Sequence, residues 1–569
     1  MPAAFLHGVE VVESTSGPVP IQIIKSSVIG LVGRAPMWAA AGAVPLWNPK
    51  EALTVGMQRI DTNGNLQQVT IAGVTGTVAP VWLTVLYGLT AADGTAAWQM
   101  VETKAQLALT NSPTLVASEQ AAAAFGPLVQ GYGIPYALAA ILEQGAGQVI
   151  VVNVFDQIAH STAIAAAAFA FPVAPALQKI NLGHMGVSNV VVTDSGGLTT
   201  YTAGLDYSID YVNGIITQLS GGAILAGASV KIAFSYADPT KVTAANIVGA
   251  FTAGVYTGIQ ALLTTFQTMG FFAQLFIAPG FSDQQTVAAA LDAMAQKLGG
   301  YALVDSSPNT AIAAALANRG TVGQAFNTSS KRTILCYPQE LFYDTGIVPT
   351  GVTIDSYGNP VQELANQNND SPYSQWVAGM IAAVDAEFGY WYSPSNHQVE
   401  GIVGPDVSIY SSILDPACDT NNLNAAGIVT IFNAYATGMR VWGNRSAAFP
   451  SKTSMDVFIP VRRVMDAVEE SVELAMLQFI DQPTSNALIT AILQSVNGFI
   501  LSLVQRGALV AGAASYNPAD NPSATVVNGQ LVFELDITPP PPLERITWNT
   551  NLDTAPLGTL GTTTAAQAA

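Results

Sequence analysis

The sequence predicts a multidomain protein of mixed α/β and α+β class, with an α/β core domain that carries two small inserted all-β modules. Three observations lead to this prediction. Strand-like and helix-like segments alternate over 113–179 and 239–365, which is typical of a parallel sheet covered by helices. Short β-prone pieces separated by glycine-rich turns fill 37–112 and 180–238. Long amphipathic helices follow from about residue 370 and indicate a separate α+β unit.

The domain boundaries are placed where the pattern of predicted strands and helices changes. We expect extended strand arms at both ends of the chain, with an α+β C-terminal domain ahead of the second arm. The predicted order is an N-terminal arm (1–20), a discontinuous α/β core domain (21–36, 113–179 and 239–365), an inserted β module (37–112), an inserted sandwich-like β module (180–238), a C-terminal domain (366–538), and a proline-rich spacer with donor strand and tail (539–569).

The core strands are predicted from short apolar runs between turn signals, because strands buried on both faces read as continuous apolar segments. A helix is predicted over 244–269, after the second β module. The expected core strands are Val28–Gly33, Gln148–Val154, Ala273–Ala278, Tyr301–Val304 and Arg332–Cys336.

The β modules contain two groups of acidic residues whose spacing has to be compared with that of a metal-binding loop or a catalytic acid/base pair. Asp61–Asn65 begins like a calcium-binding loop, but glycine stands at its fourth position and no glutamate follows at the twelfth. We therefore expect a hairpin turn there. Asp206 and Asp210 fall on one face of a predicted strand, where exposed acids beside a turn are favoured over an acid/base pair.

In the C-terminal domain, a strand over Asp456–Val461 is predicted to lead into a helix whose apolar residues recur at helical spacing. A second helix follows, with its apolar stripe between Leu488 and Leu503 and a glycine cap at Gly507. The acidic residues on the other face of the first helix are Asp466, Glu469, Glu470 and Glu473.

The composition excludes several classes of protein. With 19 basic and 38 acidic residues, the net charge of −19 provides no positive field for binding nucleic acid. An apolar fraction of 50% argues against disorder. Charged residues make up only 10% of the chain, which is few for a free surface of this size. Either uncharged polar residues cover the surface, or copies of the same chain do.

The sequence lacks the patterns that carry catalysis or cofactor binding. It has no P-loop, no GxGxxG after a strand, no GxSxG and no HExxH. The four histidines stand far apart, and Cys336 and Cys418 lack metal-ligand spacing. No secretory signal and no run of 18 apolar residues occurs, so we expect a protein made and soluble in a cytosol before it assembles. The prediction is no enzyme, with no catalytic residue, cofactor, metal or membrane.

Taken in order along the chain, a set of short segments resembles the contractile tail sheath proteins of bacteriophages, a family related to tailocin sheaths. The matching segments are scattered over most of residues 1–36, 114–350 and 370–545. They are Phe5–Val11, Gly17–Ile21, Val28–Pro36, Ser118–Gly126, Gln144–Val149, Ala278–Ser282, Trp442–Arg445, Phe458–Arg463, Glu469–Ser471 and Phe479–Pro483.

The resemblance implies a structural subunit that polymerises helically around a tail tube and contracts to drive the tube through the host envelope for genome delivery. It implies as partners other copies of the chain, the tail tube protein, and baseplate and tail terminator proteins, without direct nucleic acid. The expected location is the virion, after assembly in the host cytoplasm. In this family the C-terminal domain forms the inner wall around the tube and its contacts with the tube are polar, so Glu469, Glu470 and Glu473 are candidate tube or interdomain contacts. A solvated helix face is the alternative for each of them.

The resemblance also implies that extended arms add strands to sheets in neighbouring subunits. Residues 8–13 and 545–550 fit this role, because both are β-prone, and Pro539–Pro542 forms a stiff spacer before the second. The predicted donors are Gly8, Val9, Glu10, Val11, Val12, Arg545, Ile546, Thr547 and Trp548, and the predicted acceptor is Asp456, Val457, Phe458 and Ile459. Pairing of the arms within their own subunit remains an open alternative.

Two other functions remain open from the residues alone. An acidic surface-layer or coat-type protein would also combine low charge, β modules and no enzyme motifs, although it would need an export signal. An α/β enzyme with an unrecognised site would need titratable groups that converge in a pocket.

Overall fold

The computed structural model describes residues 21, 25–88, 91–145, 147–173, 178–343, 353–354, 360–361, 368–433 and 438–559. Within them the chain is a mixed α/β structure with several separate sheets, in agreement with the predicted class. The first elements, in chain order, are β1 (Ile29–Gly33), β2 (Ala52–Leu53), β3 (Gln58–Ile60), β4 (Leu66–Ile71), β5 (Gly73–Val74), β6 (Ala91–Asp93), β7 (Ala96–Glu102), α1 (Lys104–Leu107), β8 (Thr114–Val116), α2 (Glu119–Ala122), α3 (Gly133–Glu143) and β9 (Val149–Asn153).

The middle of the chain contains a run of antiparallel strands and then alternating helices and strands. Its elements are β10 (Ser161–Ala170), β11 (Lys179–Asn181), β12 (Ser188–Asp194), β13 (Tyr207–Asp210), β14 (Ile215–Gln218), β15 (Ser229–Ala237), α4 (Ala244–Val248), β16 (Phe251–Thr252), β17 (Val255–Tyr256), α5 (Thr265–Met269), β18 (Leu275–Ile277), α6 (Gln285–Leu298), β19 (Tyr301–Asp305), α7 (Ile312–Asn318), β20 (Thr333–Cys336) and β21 (Glu340–Tyr343).

The last part of the chain contains the longest helices. Its elements are β22 (Thr353–Ile354), β23 (Pro360–Val361), β24 (Asn368–Ser371), α8 (Tyr373–Glu387), β25 (Ile402–Pro405), α9 (Asp419–Ala425), β26 (Ile428–Asn433), β27 (Met439–Trp442), α10 (Ile459–Met476), α11 (Asn486–Arg506), β28 (Ala511–Ser515), α12 (Ser523–Val527) and β29 (Glu534–Thr538).

A sheet of eight strands, in the order β27-β26-β20-β19-β18-β1-β9-β8, forms the centre of the molecule. β1 pairs in parallel with β9 on one side and with β18 on the other. Parallel pairing continues through β19 and β20 to β26, whereas the edge strands β8 and β27 are antiparallel to their neighbours. The parallel sheet predicted from strand and helix alternation is confirmed.

Helices cover both faces of this sheet. On one face α3 and α8 pack with Leu31 and Val151 in a single apolar cluster. On the other face α6 packs with Val32 and Phe276 in a second cluster. Alternate residues of β1 therefore enter opposite clusters, which is why the strand is apolar at every position that carries a side chain.

A four-stranded antiparallel sheet, β3-β4-β7-β6, lies in the range predicted as the first β module. Its core contains Trp47, Trp82 and Trp98, whose rings meet edge to face with centroids 6.4 and 5.9 Å apart. The carboxylate of Asp93 accepts hydrogen bonds from the indole nitrogens of Trp47 and Trp98 at 2.8 and 3.0 Å. A buried acid therefore satisfies two of the three indole donors.

Asp61–Asn65 forms the turn between β3 and β4, so the predicted hairpin turn is confirmed. The Asp61 carboxylate accepts hydrogen bonds from the backbone nitrogens of Asn63 and Asn65 at 2.8 and 2.9 Å and from the side chain of Gln67 at 2.7 Å. These bonds hold the Asp61 carboxylate within the turn.

Two three-stranded antiparallel sheets, β10-β15-β12 and β11-β14-β13, pack around one apolar core. The sandwich includes β10 and therefore begins earlier than the predicted boundary at residue 180. β10 is alanine-rich and lacks the β-branched alternation that identifies strands. The carboxylates of Asp206 and Asp210 accept backbone hydrogen bonds within turns of this sandwich.

The helix predicted over 244–269 is wrong. α4 ends at Val248, the short hairpin of β16 and β17 follows, and α5 begins only at Thr265. Gly249, Gly254 and Gly258 interrupt the helix with φ values of 66°, 84° and 55°. Glycine adopts this left-handed region without the steric cost that other residues incur.

The strand predicted over Asp456–Val461 is also wrong. Met455–Val457 forms a short 3₁₀ helix, and α10 begins at Ile459. Pro460 lies in the first turn of α10, where its missing N–H has no helical partner to lose. The β-branched residues of this segment resemble a strand in sequence, but the proline marks a helix start.

Among the described residues, α11 is long and apolar enough, by length and composition alone, to cross a membrane. One side of α11 packs on α10 in an apolar cluster that includes Val464, Val468, Val496 and Phe499. Only 22% of the most apolar window of α11 is buried in the chain. The exposed positions of α11 are mostly small or polar, and among its large apolar side chains Leu501 is the exposed one, at 58%.

Candidate assembly interface

The C-terminal helices carry a two-stranded hairpin on their surface. β28 and β29 pair in antiparallel register from Ala511 opposite Thr538 to Ser515 opposite Glu534. Leu535 and Ile537 lie against the apolar cluster shared by α10 and α11. Glu534, Asp536 and Thr538 are exposed, as the two-residue period of a strand requires.

The two outer edges of this hairpin differ. At β28, the side chain of Asn497 accepts a hydrogen bond from the Ala514 nitrogen at 2.8 Å and donates one to its carbonyl at 3.0 Å. This amide occupies the position that a neighbouring strand would take. Within the described residues, β29 pairs with β28 and with no third strand. The outer edge of β29 is therefore an open edge of five residues.

The C-terminal arm extends from the residues that follow β29. Residues 545–554 have no assigned secondary structure and are exposed throughout. Ile546, Trp548 and Leu552 are 65%, 86% and 92% exposed. In an extended chain these three side chains fall on the same face, because their spacing is even. The predicted donors Arg545, Ile546, Thr547 and Trp548 thus form no strand in the single chain and present an uncovered apolar face.

The N-terminal donors Gly8, Val9, Glu10, Val11 and Val12 lie outside the described residues. The nearest described position is Ile21, which is partly buried against the same apolar cluster as the hairpin.

The predicted acceptor Asp456–Ile459 is engaged inside its own chain. Asp456 forms an ion pair with Lys331, and Val457 and Ile459 are buried. The aromatic ring of Phe458 lies under the guanidinium of Arg445, 4.6 Å from ring centroid to Cζ. Phe458 forms an isolated antiparallel bridge with Arg445, so this short edge already pairs inside the chain. The role of the segment as an acceptor remains a prediction.

The acidic face of α10 divides into internal and exposed residues. Glu469 forms an ion pair with Arg462 at 2.8 Å, and Glu473 is exposed. Glu470 accepts a hydrogen bond from the side chain of Gln274, just before β18, at 2.7 Å. Burial raises the pKa of Glu470 to about 7, and the nearby Glu473 carboxylate adds to this effect.

Arg463 is a residue whose role the sequence reasoning missed. It lies on α10 with its side chain only 4% exposed and forms an ion pair with Asp385 of α8. Its neighbour Arg462, together with Arg332, pairs with Asp466. A charged residue within the apolar stripe of a helix is the sequence signal that could have indicated a buried partner.

The carboxyl ends of the central strands are the place where an open α/β sheet usually binds a ligand. Here Arg34, just after β1, lies with its guanidinium 4.9 Å from the ring centroid of Phe281 and donates to the Pro239 carbonyl at 2.6 Å. Arg34 therefore makes contacts within the chain at the carboxyl ends of β1 and β18. Within the described part of the chain no cluster of three metal-ligating side chains occurs.

Asp305, at the end of β19, is the strongest candidate for an acid or base. Burial raises its pKa to about 6. Its carboxylate accepts hydrogen bonds from the Ser282 hydroxyl at 2.7 Å and from the backbone nitrogen and hydroxyl of Ser374, both at 2.6 Å. Because Ser374 lies in the first turn of α8, Asp305 fixes a helix start to the sheet and has a structural role.

A cavity of about 110 Å³ lies between the first β module and the carboxyl ends of β1 and β9. Apolar side chains line most of it, including Met37, Leu46 and Phe155, and the ion pair of Lys104 with Asp156 closes one side. No nucleophile with an adjacent base lines this cavity.

Three family models match the sequence. The model described as the phage tail sheath protein central domain matches residues 254–447, and the phage tail sheath C-terminal domain matches residues 451–553. A family of unknown function matches residues 159–261, which contain the sandwich.

Two relatives extend these matches. The tail sheath protein of Burkholderia phage BcepMu is 37% identical over 563 residues, which cover 98% of this chain and 99% of the relative. The tail sheath protein of Escherichia phage P2 is 26% identical over 306 residues, 54% of this chain and 70% of that protein.

Among solved structures, the fold is similar to the helical sheath of the anti-feeding prophage in its contracted state. The TM-score is 0.50 at 16% sequence identity, and the alignment covers 97% of this chain and 100% of the sheath chain.

Proposed function

The chain belongs to the phage tail sheath family, and from this premise we propose that it polymerises helically around a tail tube and contracts to drive the tube through the host envelope. It is a structural component of a contractile phage tail, not an enzyme and not a surface-layer protein. The observation that carries this conclusion is the 37% identity to a phage tail sheath protein over nearly the whole of both chains.

Strand exchange is the proposed means of assembly. Among the described residues, nothing covers the apolar face of Ile546, Trp548 and Leu552, and the outer edge of β29 has no partner strand. A strand added to that edge would satisfy backbone groups and cover the apolar face at the same time. We therefore place the acceptor on Glu534–Thr538 of a neighbouring copy rather than on Asp456–Ile459.

We propose that the N-terminal arm, which carries the donors Gly8–Val12, extends from the subunit close to the β28–β29 hairpin. The support is Ile21, which packs against the cluster beneath the hairpin. Arms from two neighbours at one hairpin would link each subunit to others through flexible connections, so the links persist while rigid domains rotate during contraction.

The tube is the proposed partner of the exposed part of α10, with Glu473 and Glu469 as candidate contacts. Glu470 is proposed instead as an interdomain contact, because Gln274 binds it within the chain. The first β module and the sandwich are proposed to be insertions in the core domain that lie away from the tube. Baseplate and tail terminator proteins are proposed as partners at the two ends of the polymer.

Electron microscopy of the purified chain tests the proposal. We expect hollow helical tubes from the full-length protein, and only single folded subunits from a variant that lacks 545–569 or one that lacks 1–15. Circular dichroism checks that both truncated variants fold. Long tubes from either truncated variant would contradict strand exchange, and flat lattices from the full chain would contradict the sheath arrangement.

A further inference from the structure

Arg445 binds the side chain of Glu544, the residue immediately before the C-terminal arm. Its Nε donates a hydrogen bond to Glu544 Oε1 at 2.8 Å, and its Nη2 donates to the other carboxylate oxygen. The two side chains thus form a bidentate ion pair, the geometry that fixes a carboxylate in direction as well as in distance. After Glu544 the chain is exposed and has no assigned secondary structure up to residue 554.

Arg445 is itself held rigidly. Its guanidinium lies 4.0 Å from the ring centroid of Phe449 and 4.6 Å from that of Phe458. Its backbone neighbour Ser446 donates to the Val457 carbonyl at 2.9 Å. Stacking on two rings and a fixed backbone leave little freedom in the guanidinium, so Arg445 is a rigid anchor for Glu544.

The anchor belongs to a different part of the molecule from the hairpin. Ala447, two residues after Arg445, donates to the carbonyl of Thr333, the first residue of β20 in the central sheet. β29 ends at Thr538, and four consecutive prolines follow. A polyproline segment from 538 to 544 spans roughly 19 Å. The chain therefore runs from the hairpin to the N-terminal end of α10 before the unattached arm begins.

We propose that Arg445 is a positioning residue for assembly: the Arg445–Glu544 pair sets where the C-terminal arm leaves the subunit, and so presents the arm to a second copy of this chain. This inference rests on the proposed strand exchange. The pair removes freedom from the residues before the arm, and a shorter free tether raises the effective concentration of the arm at the site it can reach. Without the pair, the longer free segment could also fold back toward its own β29.

Glu544→Ala is the main test, because it removes the pair and leaves the stacking of Arg445 intact. We expect the variant to fold with an unchanged midpoint of thermal unfolding and to form several-fold fewer and shorter tubes, scored by electron microscopy and sedimentation. Glu544→Arg should be worse, because it places two cations together. The exchange R445E/E544R restores an ion pair but not the stacking on the two rings, so it should recover part of the loss. Lys104→Ala, which removes an exposed ion pair elsewhere, is the matched control and should assemble normally.

Tubes of normal number and length from Glu544→Ala would overturn the inference. The variant lacking 545–569 separates this result from the larger proposal. If that variant assembles, strand exchange itself is wrong; if it fails while Glu544→Ala assembles normally, only the role of Arg445 is wrong.

Discussion

The guanidinium of Arg463 in α10 and the carboxylate of Asp385 in α8 form a buried ion pair, with 4% and 5% of the two side chains exposed. Ser26, just before β1, donates its hydroxyl to Asp385 at 3.0 Å and accepts a hydrogen bond from Arg463 at its carbonyl at 3.1 Å. Three distant parts of the sequence therefore meet at one pair of charges. We conclude that this pair fixes the C-terminal helices to the central sheet.

Arg463→Met is expected to destabilise the chain by about 3–5 kcal/mol, because it leaves the buried carboxylate of Asp385 without its partner. The double variant R463M/D385L should recover much of that loss. Urea unfolding of the single subunit, kept unassembled by removal of 545–569, measures both. The control Lys104→Ala breaks a pair whose lysine is 47% exposed and should cost at most about 1 kcal/mol. A similarly small cost for Arg463→Met would show that the buried pair does not hold the helices.

The raised pKa of Glu470 predicts that the stability of the subunit depends on pH. Its pKa is raised to about 7 from a usual 4.5, first by burial and then by the carboxylates of Glu473 and Asp466, against the hydrogen bond from Gln274. A carboxyl group that binds its proton more tightly when folded stabilises the fold below the unfolded pKa, and this contribution is lost as pH rises through the folded pKa. The stability that Glu470 contributes should therefore be lost as the pH rises from 4.5 through 7.

Glu470→Gln should flatten this fall and make the subunit more stable than the parent at pH 8, by on the order of 1–2 kcal/mol. Urea unfolding of both proteins from pH 4 to pH 8 is the measurement. A parallel pH dependence in the two proteins would show that Glu470 does not titrate in this range.

Trp548→Ala should reduce assembly without changing the stability of the single subunit. The indole is 86% exposed in the chain, so its removal costs the monomer nothing, whereas a covered tryptophan in the polymer contributes strongly. Sedimentation of the polymer against protein concentration measures the effect. Leu198→Ala, at a position 90% exposed on the sandwich, is the matched control. Equal assembly by both variants would place the indole outside the interface.

Asp93→Ala should destabilise the first β module without destabilising the rest of the subunit. The substitution removes the acceptor for Trp47, Trp98 and the backbone nitrogen of Gly76, and an unsatisfied buried donor costs roughly 1–3 kcal/mol. Tryptophan fluorescence and proteolysis within 37–112 report the change, with exposed Glu102→Ala as control. Tubes should still form, since the module is proposed to lie away from the tube. Loss of tubes with an intact module would contradict that placement.

The pattern of residues predicted the central sheet well because its strands are apolar on both faces and alternate with helices. β1 illustrates this: every residue of Ile29–Gly33 is buried. Sequence reasoning failed where two local preferences compete. The β-branched residues near Val457 suggested a strand, yet Pro460 in a helical first turn decided the structure. β28 was not predicted because Ala511–Ser515 lacks the residues that favour strands.

The candidate interface was predictable in part. The proline spacer and the β-prone residues after it predicted a C-terminal arm from local sequence. The partners of Arg463, Glu470 and Glu544 were not predictable, because they lie 78, 196 and 99 residues away along the chain. Pairings at such separations depend on the tertiary fold, which residue spacing does not encode.

The position of residues 545–552 in the assembled polymer is the most direct measurement. A cryo-electron microscopy reconstruction of the tubes, with side chains resolved around β29, would give it. We predict an added strand along Glu534–Thr538 that traces back to a different subunit, with Trp548 covered. A strand that traces back to the same subunit, or an unpaired β29 edge in the assembled polymer, would contradict strand exchange.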